Sequence, residues 1–169
     1  VYPDVALEVT SALCKNLLDE SKKQDFDLVL ALVNPKQQTK GELILEDELV
    51  WVGDHKVAIP LNNVSLVLAP DGCVYRSRVI EKLKQQATAW RISYTNTDLY
   101  GLIPAINQGL GITALARTSV PAVLDELTGS RYKSLPKLGK IKICLFNNGT
   151  QHPQISAALT EFIKTGLRK

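Results

Sequence analysis

Two nearly unbroken apolar runs, Leu28 to Val33 and Val64 to Ala69, constrain this chain more than any other feature. Both have strand length and are far too short to cross a membrane. A strand that is apolar on both faces must be covered on both, which a parallel sheet flanked by helices provides. Segments of the helical period lie around these runs. Tyr75 to Ala87 carries Val79, Ile80 and Leu83 on one face, and Ile155 to Leu167 carries Ile155, Ala158, Leu159, Phe162 and Ile163. Thr95-Asn96-Thr97 offers capping residues for a helix with Leu99, Leu102, Ile103 and Ile106. Pro104 inside that helix predicts a kink or a break, and Gly109 suits its C-terminal cap.

The remaining segments complete the alternation. Val5 to Thr10 alternates apolar and polar as a half-buried strand does, and Ser11 can cap a following helix bearing Leu13, Leu17 and Leu18. With the run at Phe26 to Val33, these form a βαβ unit of right-handed connection. Glu42 to Val52 reads as an extended ribbon, and Trp90 to Tyr94, Ile112 to Ala116 and Ile141 to Phe146 read as strands. Val120 to Leu127 reads as a short helix starting near Pro121, and Thr128 to Gly139 as a loop. The class is α/β.

Composition narrows the function. Hydrophobic residues make up 45% of the 169 and charged residues 22%, enough for a packed core. The net charge of +3 is scattered, and its densest stretch, Arg131 to Lys142, is interrupted by Leu135, Pro136, Leu138 and Gly139. That is a solvated surface rather than a nucleic-acid face. The chain opens at Val1 without Met and without a secretory signal, as expected of a fragment or processed piece. Cys14, Cys73 and Cys144 are odd in number and far apart, which argues against a disulfide framework or zinc site and for a reducing, cytoplasmic setting. Asn63-Val64-Ser65 and Asn148-Gly149-Thr150 match a glycosylation pattern that requires secretion.

Several stretches together resemble the effector-binding domain of LysR-type transcriptional regulators. They are Tyr2-Pro3-Asp4-Val5, Asp27-Leu28-Val29-Leu30-Ala31, Leu66 to Gly72, and Asn107-Gln108-Gly109-Leu110-Gly111-Ile112-Thr113-Ala114-Leu115. Gly72-Cys73-Val74-Tyr75-Arg76 and Trp90-Arg91-Ile92-Ser93-Tyr94-Thr95 look like the LrhA/HexA/PecT-like branch. The resemblance implies a two-lobed fold like the type II periplasmic binding proteins, with crossover hinge strands and a small-molecule effector between the lobes. One lobe would hold residues 1–54 and 145–169, the other 55–144. It further implies a homodimer through the sensing domains, paired by the helices around Leu13 to Lys23 and Arg76 to Ala87. The full-length protein would be a tetramer that meets DNA through a helix-turn-helix domain outside this chain. The first strand and helix of the first lobe would also lie outside it.

The residues support a ligand site on their own terms. In open parallel sheets ligands bind beyond the carboxyl ends of strands. Three strand-end loops are rich in small and polar residues, which makes Asn34, Pro35, Asp71, Gly72, Cys73, Val74, Thr95, Asn96 and Thr97 the candidate effector-binding residues. Two of these loops run into helices, whose N-terminal N–H groups favour an anion. The same residues can simply cap helices and shape turns, and Asp98 would compete with an anionic ligand. Cys73 is open to a redox-sensor reading or a small pocket residue, and Tyr75 and Arg76 to ligand clamping or packing. Gly109-Leu110-Gly111 ends a helix and opens a strand, the reverse of a dinucleotide fingerprint. Glu46-Asp47-Glu48 with His55 reads as a charged strand, since neighbouring residues face opposite ways. His152 precedes Pro153 in a loop, and no nucleophile–base pair, metal or cofactor is expected. The expectation is a regulatory ligand-binding domain and not an enzyme. The alternative is a solute-binding protein of a transport system; an enzyme on this scaffold would need more ionisable groups than Asp71 and Asp98.

Overall fold

The computed structural model describes residues 5–19, 25–34, 39–58, 60–149 and 152–167. In chain order the elements are α1 (Cys14–Leu17), β1 (Leu28–Val33), β2 (Glu42–Gly53), β3 (Asn63–Leu68), α2 (Val74–Gln85), β4 (Ala89–Thr95), α3 (Leu99–Asn107), β5 (Thr113–Ala116), β6 (Asp125–Glu126), β7 (Lys140–Asn147) and α4 (Pro153–Leu167). The chain divides into two units, residues 1–46 with 142–169 and residues 47–141, so it passes the boundary once within β2 and once within β7.

In the second unit β3 is the central strand. It pairs in parallel with β4 from Asn63↔Ala89 to Leu68↔Thr95. On its other side Ile112 donates to the Ser65 carbonyl and accepts from the Val67 amide, both at 2.9 Å. β5 then pairs antiparallel with β2 from Leu49↔Ala116 to Val52↔Thr113, and β6 adds to the far side of β2. Leu66, Val67 and Leu68 are buried, as a strand covered on both faces requires. Val67 meets Val50, Val52 and Leu115 in a cluster closed by Leu102, Ala105 and Ile106 of α3. α2 buries Val79 and Leu83, and its buried Arg78 donates through Nη1 to the carbonyls of Leu138 (3.2 Å) and Lys140 (3.5 Å).

The end of α3 explains the Gly-Leu-Gly run. Gly109, at φ +78°, follows the C-cap residue Gln108; its amide bonds Ile106 O, and the Leu110 amide bonds Ala105 O. That is the double bond of a Schellman cap. Gly111 then lies against β3, where a Cβ would stand 2.3 Å from the Ser65 carbonyl oxygen.

In the first unit β1 pairs with β7 from Leu28↔Asn147 to Val33↔Lys142. The pairing is antiparallel, and among the described residues β1 has no strand on its other side, so the βαβ unit expected between residues 5–10 and 26–33 is not formed. Burial along β1 alternates, with Leu30 left 40% exposed, so its apolar run is not covered on both faces. Val5 to Thr10 forms no strand, and Leu7 and Val9 are exposed; an alternating segment without a neighbour has no ladder to join. The first helix is limited to four residues, and its N-cap is Leu13 rather than Ser11, without a side-chain bond. Lys164 of α4 pairs with Glu42 at the start of β2 (2.8 Å) and with Glu161 (3.1 Å).

Further expectations meet the structure here. Of the kink or break expected at Pro104, the break does not occur, since α3 runs through that residue. The carbonyl that loses its helical donor belongs to Tyr100, which is 81% exposed and can bond water. Val120 to Leu127 is not a helix: a 3-10 turn at Arg117–Ser119 precedes it, and Asp125–Glu126 joins β2. The cap of α3 is also Asp98, one residue beyond the expected Thr95-Asn96-Thr97.

Gly111→Ala is expected to lower stability by about 1–3 kcal/mol, because the new methyl meets backbone that cannot rotate away. Gly109→Ala should cost about 1 kcal/mol through its left-handed conformation, its methyl otherwise meeting only the side chain of Val57, 3.0 Å away, which can give. Urea unfolding of the two variants tests both the order and the size of the effects.

Candidate functional site

The carboxyl ends of β3 and β4 lie side by side, with Leu68 opposite Thr95 and the Asn96 amide donating to Leu68 O at 3.3 Å. This register brings Asp71, Gly72, Cys73 and Val74 to the same end of the sheet as Thr95, Asn96 and Thr97. Pro70 to Cys73 forms a tight turn, its Cys73 amide bonded to Pro70 O at 3.3 Å. Gly72 takes φ +96° in it, a conformation that glycine adopts freely and other residues rarely. Asn34 directly follows β1 in the first unit, and Pro35 lies outside the described residues.

The two helix starts differ. α3 is capped: Asp98 Oδ1 accepts the Tyr100 amide at 3.0 Å, so a carboxylate already serves that terminus. α2 starts after Cys73 with no side-chain cap, leaving its first-turn dipole open to an anion. Asn96 is engaged locally, its Nδ2 donating to Tyr94 Oη (3.1 Å) and its Oδ1 accepting the Asp98 amide (3.0 Å). It fits only because residue 101 is glycine, where a Cβ would lie 2.2 Å from Asn96 Nδ2. Thr95 and Thr97 are exposed, and their hydroxyls have no partner among the described residues.

Arg76, in the first turn of α2, stood between ligand clamping and packing in the sequence and lies outside the candidate set. Its Nη1 donates to Ala69 O at 3.1 Å at the end of β3, while its Nε is buried without a partner among the described residues. A buried guanidinium N–H with no acceptor is a donor held ready for one. The sequence signal was a basic residue in the first turn of a helix that follows a strand end. Tyr75 packs against the core cluster around Val67. The arrangement offers backbone N–H groups, hydroxyls and one guanidinium, a recognition surface without a paired nucleophile and base.

The three cysteines form no disulfide with one another: Cys73 stands at the α2 N-cap, whereas Cys14 and Cys144 belong to the other unit. Cys144 is buried in β7, and desolvation pushes its thiol pKa up, which makes it inert. His55 is not joined to Glu46-Asp47-Glu48. Its Nδ1 lies 2.5 Å from Asp125 Oδ2, and with Asp54 these groups bring ligand-type atoms within 4.8 Å of one another on an exposed surface. Asp47 instead accepts from the Thr118 amide and hydroxyl, and Glu48 from Arg117 Nη1 at 2.6 Å. Arg117 also grips Glu126 with two bonds of 3.0 and 2.8 Å, tying β6 to the end of β5.

That fork holds the Glu126 carboxyl below its ordinary value near 4.5. A carboxyl depressed on folding adds stability above its unfolded pKa and loses it as pH falls through the folded one. Arg117→Met should therefore be slightly less stable than the parent at pH 7, the pair being largely exposed. The gap should close as the solution is acidified below about pH 4. Thermal melts of both proteins across pH 3–7 measure it.

This architecture, with strand-end turns opening onto helices, is that of a mixed α/β domain of the type II periplasmic-binding-protein-like class. The regulatory domain of Synechocystis PCC6803 CcmR in complex with 2-PG superposes with a TM-score of 0.69 at 17% identity, covering 97% of this chain and 84% of that one. Residues 1–136 match the family model described as the LysR substrate binding domain, and the chain belongs to that family. It is 23% identical over 98% of its length to the HTH-type transcriptional regulator DgdR of Burkholderia cepacia, covering 56% of that protein. It is 24% identical over 99% of its length to the HTH-type transcriptional regulator PecT of Dickeya dadantii (strain 3937), covering 52% of it, in keeping with the PecT-like branch. The chain thus spans about half the length of the curated relatives it matches. Among the described residues no helix is long and apolar enough to cross a membrane.

Proposed function

We propose that this chain is the effector-sensing part of a cytoplasmic LysR-type transcriptional regulator and that its effector is a small anion. The observation that carries the reading is the uncapped start of α2 beside Gly72, with the Nε of Arg76 in that same first turn lacking a partner among the described residues. The ligand's charged group would sit on the first turn of α2, near Asp71, Gly72, Cys73 and Val74, with Thr95, Asn96 and Thr97 bounding it from β4. Asn34 and Pro35 are the contribution proposed from the first unit, and the units 1–46 with 142–169 and 47–141 are proposed as the two lobes. A ligand that favours one of two arrangements shifts their populations by its differential affinity. In the full-length protein, that shift would reach a DNA-binding domain outside this chain. The curated relatives favour this over a transport solute-binding protein, since both are HTH-type regulators. We assign no catalysis, because the strand-end site offers Asp71, Asp98 and Arg76 without a paired nucleophile.

Titration calorimetry with 2-PG and a panel of small mono- and dicarboxylates tests the site. Arg76→Met should weaken a bound anion by about tenfold, the worth of one charge-assisted hydrogen bond. Thr95→Ala should weaken it less. Binding that is indifferent to Arg76→Met would refute the placement. The sensing domains are proposed to pair as homodimers, and the whole regulator as a tetramer. Light scattering at high micromolar concentration should give the dimer mass, and a monomer there would count against the pairing.

A further inference from the structure

At the opposite end of β3 and β4 the second unit has a separate cavity of about 470 Å³, a size that suits a small ligand. Asn63 and Ser65 of β3, Arg91 and Ser93 of β4, and Leu110 and Pro60 line it. Ser65 is about 10 Å along the strand from Leu68, where the first site begins. We propose that this cavity is a second binding site, taking the carboxylate of a small organic acid on Arg91.

Three observations point to a ligand. Arg91 donates through Nε to Ser65 Oγ at 3.0 Å, which fixes the guanidinium while its two Nη groups have no acceptor among the described residues. The planar Nη pair is the geometry that grips a carboxylate with two parallel bonds. Ser65 is 7% exposed, and its hydroxyl, having accepted from Arg91, keeps its own proton free to donate into the cavity. Lastly, the β3–β4 ladder slips at this point: Leu66 faces Ile92 but Val67 faces Tyr94, leaving Ser93 as an extra residue. Bulges are rare in parallel pairs and re-aim the side chain they insert. Here the inserted side chain is one that lines the cavity.

The rest of the lining sets the ligand class. Leu110 is 39% exposed, and with Pro60 it offers an apolar wall to the body of the acid. The Schellman turn at Gly109 holds Leu110 in place. A cavity with a fixed cation, a buried hydroxyl and an apolar wall suits a carboxylate on a short aliphatic or aromatic body better than an inorganic ion.

Benzoate is a suitable probe, added to the full chain and followed by ¹H–¹⁵N spectra that include the Arg91 Nε–H resonance. Saturable shifts should appear at Arg91, Ser93, Gly109 and Leu110, with a Kd on the order of 1 mM for so small a ligand. Arg91→Gln should raise that Kd about tenfold, Ser65→Ala and Leu110→Glu should raise it too, and Arg76→Met should leave it unchanged. Non-saturating shifts, shifts confined to α2, or wild-type affinity in both Arg91→Gln and Leu110→Glu would overturn the proposal. Arg91 and Leu110 are both exposed, so their replacement leaves the core intact, and loss of binding at only one end separates the two sites.

Discussion

The buried ladder around β3 is the constraint on which the second unit depends. Its amides and carbonyls are taken by β4 on one side and by Ile112 on the other, and its side chains from Val64 to Leu68 are buried. Its backbone is fully engaged, and of its buried side chains only Ser65 carries a polar group. Function is pushed to its two ends, where side chains stop being core. At the carboxyl end the chain turns through Gly72 into the uncapped α2; at the other, Arg91 and Ser65 meet over a cavity. The Gly111 approach is part of the same constraint, since only a residue without Cβ lets the β5 entry close on β3.

The fold was legible where burial matches composition. β3, α2 and α3 fall where their periods place them, because each buries a set of apolar residues. β4 and α4 also form where expected, but β4 alternates between half-buried and exposed residues and α4 buries only Ser156, leaving Ala158 and Phe162 of the expected apolar face exposed. It was illegible where pairing decides. The run in β1 reads as a strand covered on both faces, yet it pairs antiparallel with β7 and leaves Leu30 exposed. Val5 to Thr10 has the strand period and no ladder. Periodicity reports what a segment could bury, whereas hydrogen-bond partners from distant sequence decide what it forms. Val120 to Leu127 fails for a related reason: the Arg117 fork to Glu126 and the β6–β2 pairing outweigh a local helical preference that Pro121 only hints at.

The candidate site was legible as a neighbourhood rather than as a set of contacts. Gly72, Cys73, Thr95 and Asn96 are gathered by the parallel β3–β4 register, in which Leu68 faces Thr95. What the letters could not give is the state of each group. Asn96 is consumed by Tyr94 and Asp98, Asp98 rather than a threonine caps α3, and Arg76 keeps a buried N–H. The second cavity had no sequence signal at all, because it depends on a one-residue bulge at Ser93 that leaves no trace in composition or spacing.

Arg78 gives α2 a property that matters for recognition. Behind the turn at Pro70 to Cys73 the helix is anchored: Val79 and Leu83 are buried in the core, and Arg78 donates to the carbonyls of Leu138 and Lys140. The helix cannot slide or rotate about its axis without breaking those bonds. Its leading amides are therefore preorganised, and a ligand that docks there loses little free energy to ordering the receptor.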